Sequence, residues 1–500
     1  MSSVELRALA ARLGVEGEEA LPGCLATVRR MEGLLREEAH RNMADESIFQ
    51  KLLYILRNAS CEIGVACKGT SSPAHLDSCL LLLTECFRCL RNACVQSVDN
   101  QNMMRNLGLI DASVHLVLLL QKLETDLESL LTALRCSLQY LGNMATGNRD
   151  SQERIWKLAF PSVFLNCLNT HDEKIIAYCC MVLLTCLNPE RMLELQEGNN
   201  LNIALAVLQA FRRYPESEWV FLINNHLLKC PKLVKAMYAK MSNQERIMLL
   251  ELILSQINDE KFIISEEITT FLASCFEEKC QAVLRLASAT NHEDEEALVT
   301  IRLLDVLCEM TSNPEQLECL QAYANLLEVA INTLKLTHIA GKQATNIFTV
   351  THSASGKEEI SHPAMGFKSH LIRLIGNLCY KNKVNQDKGQ RTHFTANHQV
   401  LRKGCMIMCE THTTDSIYEL DGIPLILDNC SIDDNNPFIS QWAVYTIHNL
   451  TELNERNQEL IAQMEQCGLA DNSVLESMGL KVERQDQRLI LRSVRKMPNL

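Results

Sequence analysis

Residues Cys86–Gln101 read CFRCLRNACVQSVDNQ, and three other stretches keep the same frame: Ser137–Gln152 (SLQYLGNMATGNRDSQ), Leu371–Gln386 (LIRLIGNLCYKNKVNQ) and Ala443–Gln458 (AVYTIHNLTELNERNQ). Each places an Asn at the end of an amphipathic helix and a Gln nine residues later: Asn92 with Gln101, Asn143 with Gln152, Asn377 with Gln386, and Asn449 with Gln458. The Gln follows Asn100, Asn385 or Asn457 in three copies and Ser151 in the other. Five residues before the Asn stands a large apolar residue (Phe87, Leu138, Ile372, Val444), and two before it stands another (Leu90, Leu141, Ile375, Ile447). Positions three apart share a helix face. One repeat cannot bury that face alone, but a neighbouring repeat stacked on it can. The frame therefore predicts an all-α fold, an armadillo-like helical-repeat superhelix (α-solenoid). Each Leu or Ile buried between layers contributes about 1.5–3 kcal/mol.

The composition agrees. The chain has 500 residues, is 47% hydrophobic and holds only 19 Gly and 11 Pro, as a helix-rich chain would. Its net charge of −13 argues against a general nucleic-acid binder, which needs clustered Lys and Arg for phosphates, and against an anionic membrane surface. The longest apolar run, around Val117–Leu120, is too short to span a bilayer, so no membrane insertion is expected. Glu5, Arg7 and Arg12 near the start do not suit a signal peptide. The 22 Cys are then expected to stay reduced, as small buried hydrophobes; Cys86, Cys89, Cys136, Cys179, Cys180, Cys308 and Cys379 all lie in apolar helical runs.

Working outward, residues 1–45 read as a helical cap or loose segment, 46–344 as armadillo-like repeats, 345–366 as an exposed loop, 367–476 as a C-terminal repeat domain, and 477–500 as a tail. The tail alternates in part (Leu480, Val482, Leu489, Ile490, Leu491) and reads as a hairpin-like or extended cap. Degenerate copies surround Leu183–Asn188 and Ile301–Glu309, where Glu309 takes the Asn place. The acidic run Glu293–Glu296 is placed in a helix first turn, where carboxylates suit the helix dipole. In the third clear copy Gln386 is followed only 36 residues later by Gly422-Ile423-Pro424, where the first two copies need seven residues to reach Gly108 or Ala159. Roughly residues 389–417 thus read as inserted into a short turn, as a splice or gene-model insertion or a disordered loop, with a functional excursion as the other reading.

Asn is a poor helix-interior residue because its side chain competes for the backbone, so its recurrence needs a use. Two uses stay open: ending the helix and tying down the next loop, or bonding the backbone of an extended ligand, as a third-helix Asn does on the concave groove of armadillo repeats. Import carriers of that fold place a Trp four residues before the Asn. Here that position holds Arg88, Gln139, Arg373 and Tyr445, so cargo recognition of the import type is not expected. Arg88 and Arg373 suit acidic partner segments or pair locally with a carboxylate. The candidate partner groove is therefore Arg88, Asn92, Gln139, Asn143, Arg373, Asn377, Tyr445 and Asn449.

No nucleotide-binding, nucleophile-elbow or metalloprotease motif is present. No catalytic residue and no cofactor follow. Cys86 and Cys89 have zinc-like spacing but lie in an apolar helix; His393, His398, Cys405, Cys409 and His412 offer ligand atoms but fit no closed zinc motif, so no metal is assigned.

The residues resemble the ataxin-10 family. Cys86–Cys94, Asp294–Thr311, Phe367–Lys383 and Leu420–Cys430 carry the resemblance, which covers nearly the whole chain from Ile48 onward. The first 45 residues and the 389–417 stretch depart from it. The resemblance implies a non-enzymatic armadillo-like scaffold for protein–protein interactions, cytoplasmic and perinuclear, with midbody, centrosome or cilium basal-body locations. It implies support of neuron survival, neurite outgrowth, cytokinesis and cilium-base processes. It implies a G-protein beta subunit and the O-GlcNAc transferase as partners, and a homo-oligomer. The alternative is a regulatory subunit that activates a partner enzyme, such as that transferase or a signalling kinase.

Overall fold

A computed structural model of the chain describes residues 2–13, 21–69, 72–257, 264–287, 294–351, 362–390, 422–466, 480–485 and 488–493. The chain divides into two compact units, residues 1–268 and 269–500, with the boundary inside one helix, Glu266–Lys279.

Unit 1 runs α1 (Ser2–Arg12), α2 (Leu21–Leu35), α3 (Glu38–Arg41), α4 (Glu46–Ala66), α5 (Pro73–Ala93), α6 (Val98–Asn106), α7 (Leu109–Leu120), α8 (Glu128–Ala145), α9 (Arg149–Ala159), α10 (Ser162–Leu168), α11 (Glu173–Cys186), α12 (Pro189–Glu194), α13 (Leu201–Arg213), α14 (Glu218–Leu228), α15 (Pro231–Lys240) and α16 (Asn243–Ile257). Side-chain caps start many of them. Asp45 accepts from Ser47 N, Ser72 from His75 N with Pro73 in the first turn, Asn148 from Ser151 N, and Asp172 from Ile175 N. The helices stack in two rows: α2, α5, α8, α11 and α14 pack one on the next, and α4, α7, α10, α13 and α16 form the second row. Between the rows lie Ile48, Leu52, Leu56, Leu83, Phe87, Leu90, Leu109, Val117, Leu138 and Leu141, all buried. The first 45 residues supply α2 to this stack, with Val28, Met31 and Leu35 buried.

Unit 2 holds the boundary helix α17 (Glu266–Lys279), a 3-10 segment (Cys280–Ala287), α18 (Glu295–Met310), α19 (Pro314–Ala322), α20 (Leu326–Gln343), α21 (Phe367–Cys379), α22 (Lys383–Gln390), α23 (Gly422–Asp428), α24 (Ile439–Thr451) and α25 (Glu455–Gln466). Here α18, α21 and α24 form the stacked row. Asp294 caps α18 by accepting from Ala297 N, with Glu295 and Glu296 in the first turn. Hydrogen bonds from Lys279 and Arg285 pull the Glu296 carboxyl down to about 2. The fold is an all-α helical-repeat fold; the described residues also include an antiparallel hairpin, β1 (Leu480–Gln485) and β2 (Arg488–Ser493), in whose register Val482 pairs with Leu491.

The ends of the irregular 345–366 segment are anchored. Phe348 is buried; Asn435 Nδ2 donates to the Thr349 carbonyl (3.0 Å), and Gly366 N donates to the Asn435 carbonyl (2.8 Å). Lys368 Nζ lies 3.6 Å from Asp433 Oδ2, both side chains buried; burial pushes the lysine down and Asp433 partly restores it. Residues 352–361 and the greater part of the 389–417 stretch, with His393, His398, Cys405, Cys409 and His412, lie outside the described residues. Cys86, Cys89, Cys136, Cys179, Cys180, Cys308 and Cys379 are buried free thiols, and burial pushes Cys180 and Cys379 up to about 12. One expectation fails. Phe87, Leu138 and Ile372 are fully buried, but Val444 is 66% exposed even though α25 packs against α24.

Gly376 lets α21 and α24 approach closely. A Cβ there would collide with Thr446 Oγ1 and lie 3.2 Å from Thr446 Cα. Thr446 cannot retreat easily, since its hydroxyl donates to the Ile372 carbonyl (2.9 Å). At Gly142 the obstacle is the flexible end of Met181. Gly376→Ala is predicted to cost about 1–3 kcal/mol, the usual range for overpacking, and Gly142→Ala less. Chemical denaturation of the two variants checks the order.

Candidate partner-binding surface

The marker Asn residues face the preceding layer. Asn143 Nδ2 donates to the Arg91 carbonyl (3.0 Å) and Asn449 Nδ2 to the Gly376 carbonyl (2.9 Å), in each case the residue just before the marker of the previous copy. Asn92 Nδ2 reaches the carbonyl of Glu32 in α2 (3.3 Å) and its Oε1 (2.9 Å). Asn377 meets the layer whose marker place is Glu309, and its Nδ2 donates to Thr311 Oγ1 instead (2.6 Å).

The Gln residues face the following layer. Gln101 Nε2 donates to the carbonyls of Asn143 (2.8 Å) and Thr146 (3.1 Å), and Gln386 Nε2 to that of Asn449 (2.9 Å). These carbonyls lie at a helix C-terminus, where the last turn has no intrahelical partners. Gln152 and Gln458 bond only within their own copy, to the carbonyls of Ala145 and Thr451. The Asn before the Gln closes the loop in the same way three times. Asn100, Asn385 and Asn457 donate to the carbonyls of Ala93, Leu378 and Leu450, and also to Arg41, Gln321 and Gln386 of the previous layer.

Four members of this network, three Asn and one Gln, are not marked by the Asn–Gln frame. Asn148, Asn382 and Asn454, five residues after a marker, each cap the next helix and also point Nδ2 at the previous layer's Gln oxygen, at 3.2, 3.5 and 3.4 Å. The N-x-x-[NS] spacing from that residue to the one before the Gln would have shown them. Gln321 serves Asn377 as Gln101 serves Asn143, donating to the carbonyls of Asn377 (3.2 Å) and Tyr380 (2.9 Å). It lies 12 residues after Glu309, not nine, so a fixed spacing misses it.

The positions four before each marker point outward. Arg88, Gln139 and Arg373 are half-buried and Tyr445 is exposed. Three of them are engaged locally: Arg88 Nη1 with Glu85 Oε1 (3.0 Å), Gln139 Oε1 with Arg91 Nη1 (2.6 Å), and Arg373 Nη1 with Glu309 Oε1 (2.7 Å). Arg373 also lies 5.2 Å from the centre of the Trp442 ring, whose neighbour Tyr445 stands edge-on at 5.8 Å. Phe438, Gln441, Trp442 and Tyr445 line a shallow apolar groove of about 340 Å³. Phe438 caps α24 with φ 62° and is 71% exposed. A bulky residue in the left-handed region is strained. Among the described residues no group of three or more His, Cys, Asp or Glu is placed to hold a metal ion, and no single helix is long and apolar enough to cross a membrane.

Residues 400–492 match the family model described as the spinocerebellar ataxia type 10 protein domain. The chain is 50% identical over 483 residues to ataxin-10 of Bos taurus, covering 95% of both chains. It is 50% identical over 481 residues to ataxin-10 of Homo sapiens, again with 95% of both covered. Ataxin-10 of Xenopus tropicalis is 48% identical over 480 residues, covering 95% of this chain and 93% of that one.

The buried amides and the outward row predict opposite effects. Asn449→Ala and Gln386→Ala are expected to lose about 1–3 kcal/mol each, because each leaves a buried carbonyl without its donor, and to couple in a double-mutant cycle. Tyr445→Ala should leave the unfolding midpoint nearly unchanged. Urea denaturation of the three single variants and the double variant measures both effects.

Proposed function

This chain belongs to the ataxin-10 family, and we propose that it is a non-catalytic helical-repeat scaffold that docks protein partners on the outward face of α24. The observation that carries this reading is the exposed aromatic cluster at that helix. Phe438, Trp442 and Tyr445 stand together on α24 with Val444 exposed beside them. Aromatic residues with Arg alongside are typical interface anchors. The marker Asn side chains contribute indirectly, by holding the helices in register, since their donors are spent on the neighbouring layer.

The family resemblance supports the finer assignments as part of the same proposal: service to neuron survival, neurite outgrowth, cytokinesis and cilium-base processes, from the cytoplasm, perinuclear region, midbody and centrosome or basal body. It supports a G-protein beta subunit and the O-GlcNAc transferase as partners, and self-association. A direct experiment uses the purified full-length chain with purified O-GlcNAc transferase. The scaffold reading expects Tyr445→Ala with Phe438→Ser to weaken binding at least tenfold, with the unfolding midpoint and the transferase rate unchanged. A transferase rate that rises on addition of the wild-type chain favours the activator reading. Undiminished binding by the double variant removes the aromatic row from the docking surface.

A further inference from the structure

A second surface, in unit 1, has the opposite chemistry. Helices α4, α6, α7 and α9 border a groove of about 670 Å³ lined by Arg57, Ser60, Cys61, Arg105, Arg154 and His115, among others. Three successive layers each give it an arginine: Arg57 from α4, Arg105 from α6, and Arg154 from α9. The lining holds a single carboxylate, Asp111, which Arg154 already clasps through Nε (3.1 Å) and Nη2. Arg105 is fixed by Nη1 bonds to Asn102 Oδ1 (2.9 Å) and Asn148 Oδ1 (3.0 Å); its other terminal nitrogen lies 3.3 Å from the outlying Asp150. Arg57 and His115 are exposed and, among the described residues, make no hydrogen bond or ion pair. The groove therefore carries a net positive charge in a chain whose net charge is −13.

We infer that this groove binds an acidic segment of a partner protein, extended across the layers, with its carboxylate or phosphoryl oxygens on the Arg57 guanidinium and with Arg105 and Arg154 adding positive charge along the groove. The arginines suit this task. A guanidinium offers a planar fork that pairs bidentately with carboxylate or phosphate, and a row with one cation per layer matches an extended anionic chain better than a compact ion. Arg105 is held in place before any ligand arrives, so little ordering is required of it. Gly108, at φ 84°, lets the chain turn between α6 and α7 at the edge of the groove. This inference rests on the scaffold reading and supplies a partner chemistry at a site remote in sequence from α24.

The experiment measures fluorescence anisotropy of labelled 12-residue peptides, long enough at ~3.3 Å per residue to cross three layers, against the full-length chain. The probes are a Glu-rich peptide, the same peptide with phosphoserines, a Lys-rich control, and inorganic phosphate as competitor. Either anionic peptide should bind more tightly than the Lys-rich one. Binding should weaken with salt and drop at least tenfold in Arg57→Glu, a substitution at an exposed helix position with no partner to lose. His115→Glu gives a second variant of the same kind. The two anionic peptides tell a carboxylate source from a phosphoryl one. Equal affinity of the wild type and both variants overturns the inference, as does inorganic phosphate binding when neither peptide binds. Tyr445→Ala should leave peptide binding unchanged. Loss of transferase binding in that variant, with peptide binding intact, bears on the α24 surface alone, so failure of either proposal is distinguishable from failure of the other.

Discussion

A side-chain amide reaching from one repeat to the frayed helix end of the next is the interaction on which the stack's geometry depends. Gln101 and Gln386 donate to the carbonyls of Asn143 and Asn449 across the layer boundary, and the markers Asn143 and Asn449 donate back to the carbonyls of Arg91 and Gly376. Each of these carbonyls belongs to a last helical turn and would otherwise be buried without a donor. Apolar burial is far larger in total, yet it is non-directional. Leucine faces sliding by one turn would bury similar area, whereas an amide displaced by that distance leaves both partners unsatisfied at about 1–3 kcal/mol each. Burial thus supplies the cohesion, and the amides set the register.

That division explains why the pattern has two kinds of position. The apolar places tolerate Phe87, Leu138 or Ile372, because any of them fills a layer. The polar places are stricter: an Asn amide presents a donor at a fixed reach, which Glu309 cannot do. In that layer Thr311 supplies an acceptor from the C-terminal end of α18, and its own hydroxyl donates to the Cys308 carbonyl (2.5 Å). The boundary between α18 and α21 thus keeps its connection through a hydroxyl, while the donor that Glu309 lacks belongs to the boundary on its other side.

The fold class was legible because periodicity and the Asn–Gln frame are local in sequence. The eight candidate groove residues were legible as positions but not as roles. Asn92 and Asn449 turn inward, while Tyr445 turns outward, and which way a position faces depends on the layer that comes next. Val444 makes the point most clearly: it stands in the same place as Ile372, yet Ile372 is fully buried and Val444 is 66% exposed. Gln321 was hidden for another reason. Its layer reaches the boundary with three more residues of chain, and only the fold shows that its amide arrives at the same pair of carbonyls. The Arg57, Arg105 and Arg154 row belongs to no motif, since its members are 48 and 49 residues apart and become neighbours only by stacking.

A stack of this kind makes surfaces by subtraction. Positions needed for cohesion are apolar and positions needed for register are amides, so the positions left over are free to carry charge or aromatic rings without cost to the fold. They recur once per layer because the layers do, and a row of like groups at repeat spacing suits an extended ligand better than a compact one. The last described layers add a second kind of surface, apolar and exposed, at α24. Phe438, Val444 and Tyr445 are exposed there, and Phe438 holds a left-handed backbone conformation, φ 62°, that strains a bulky residue.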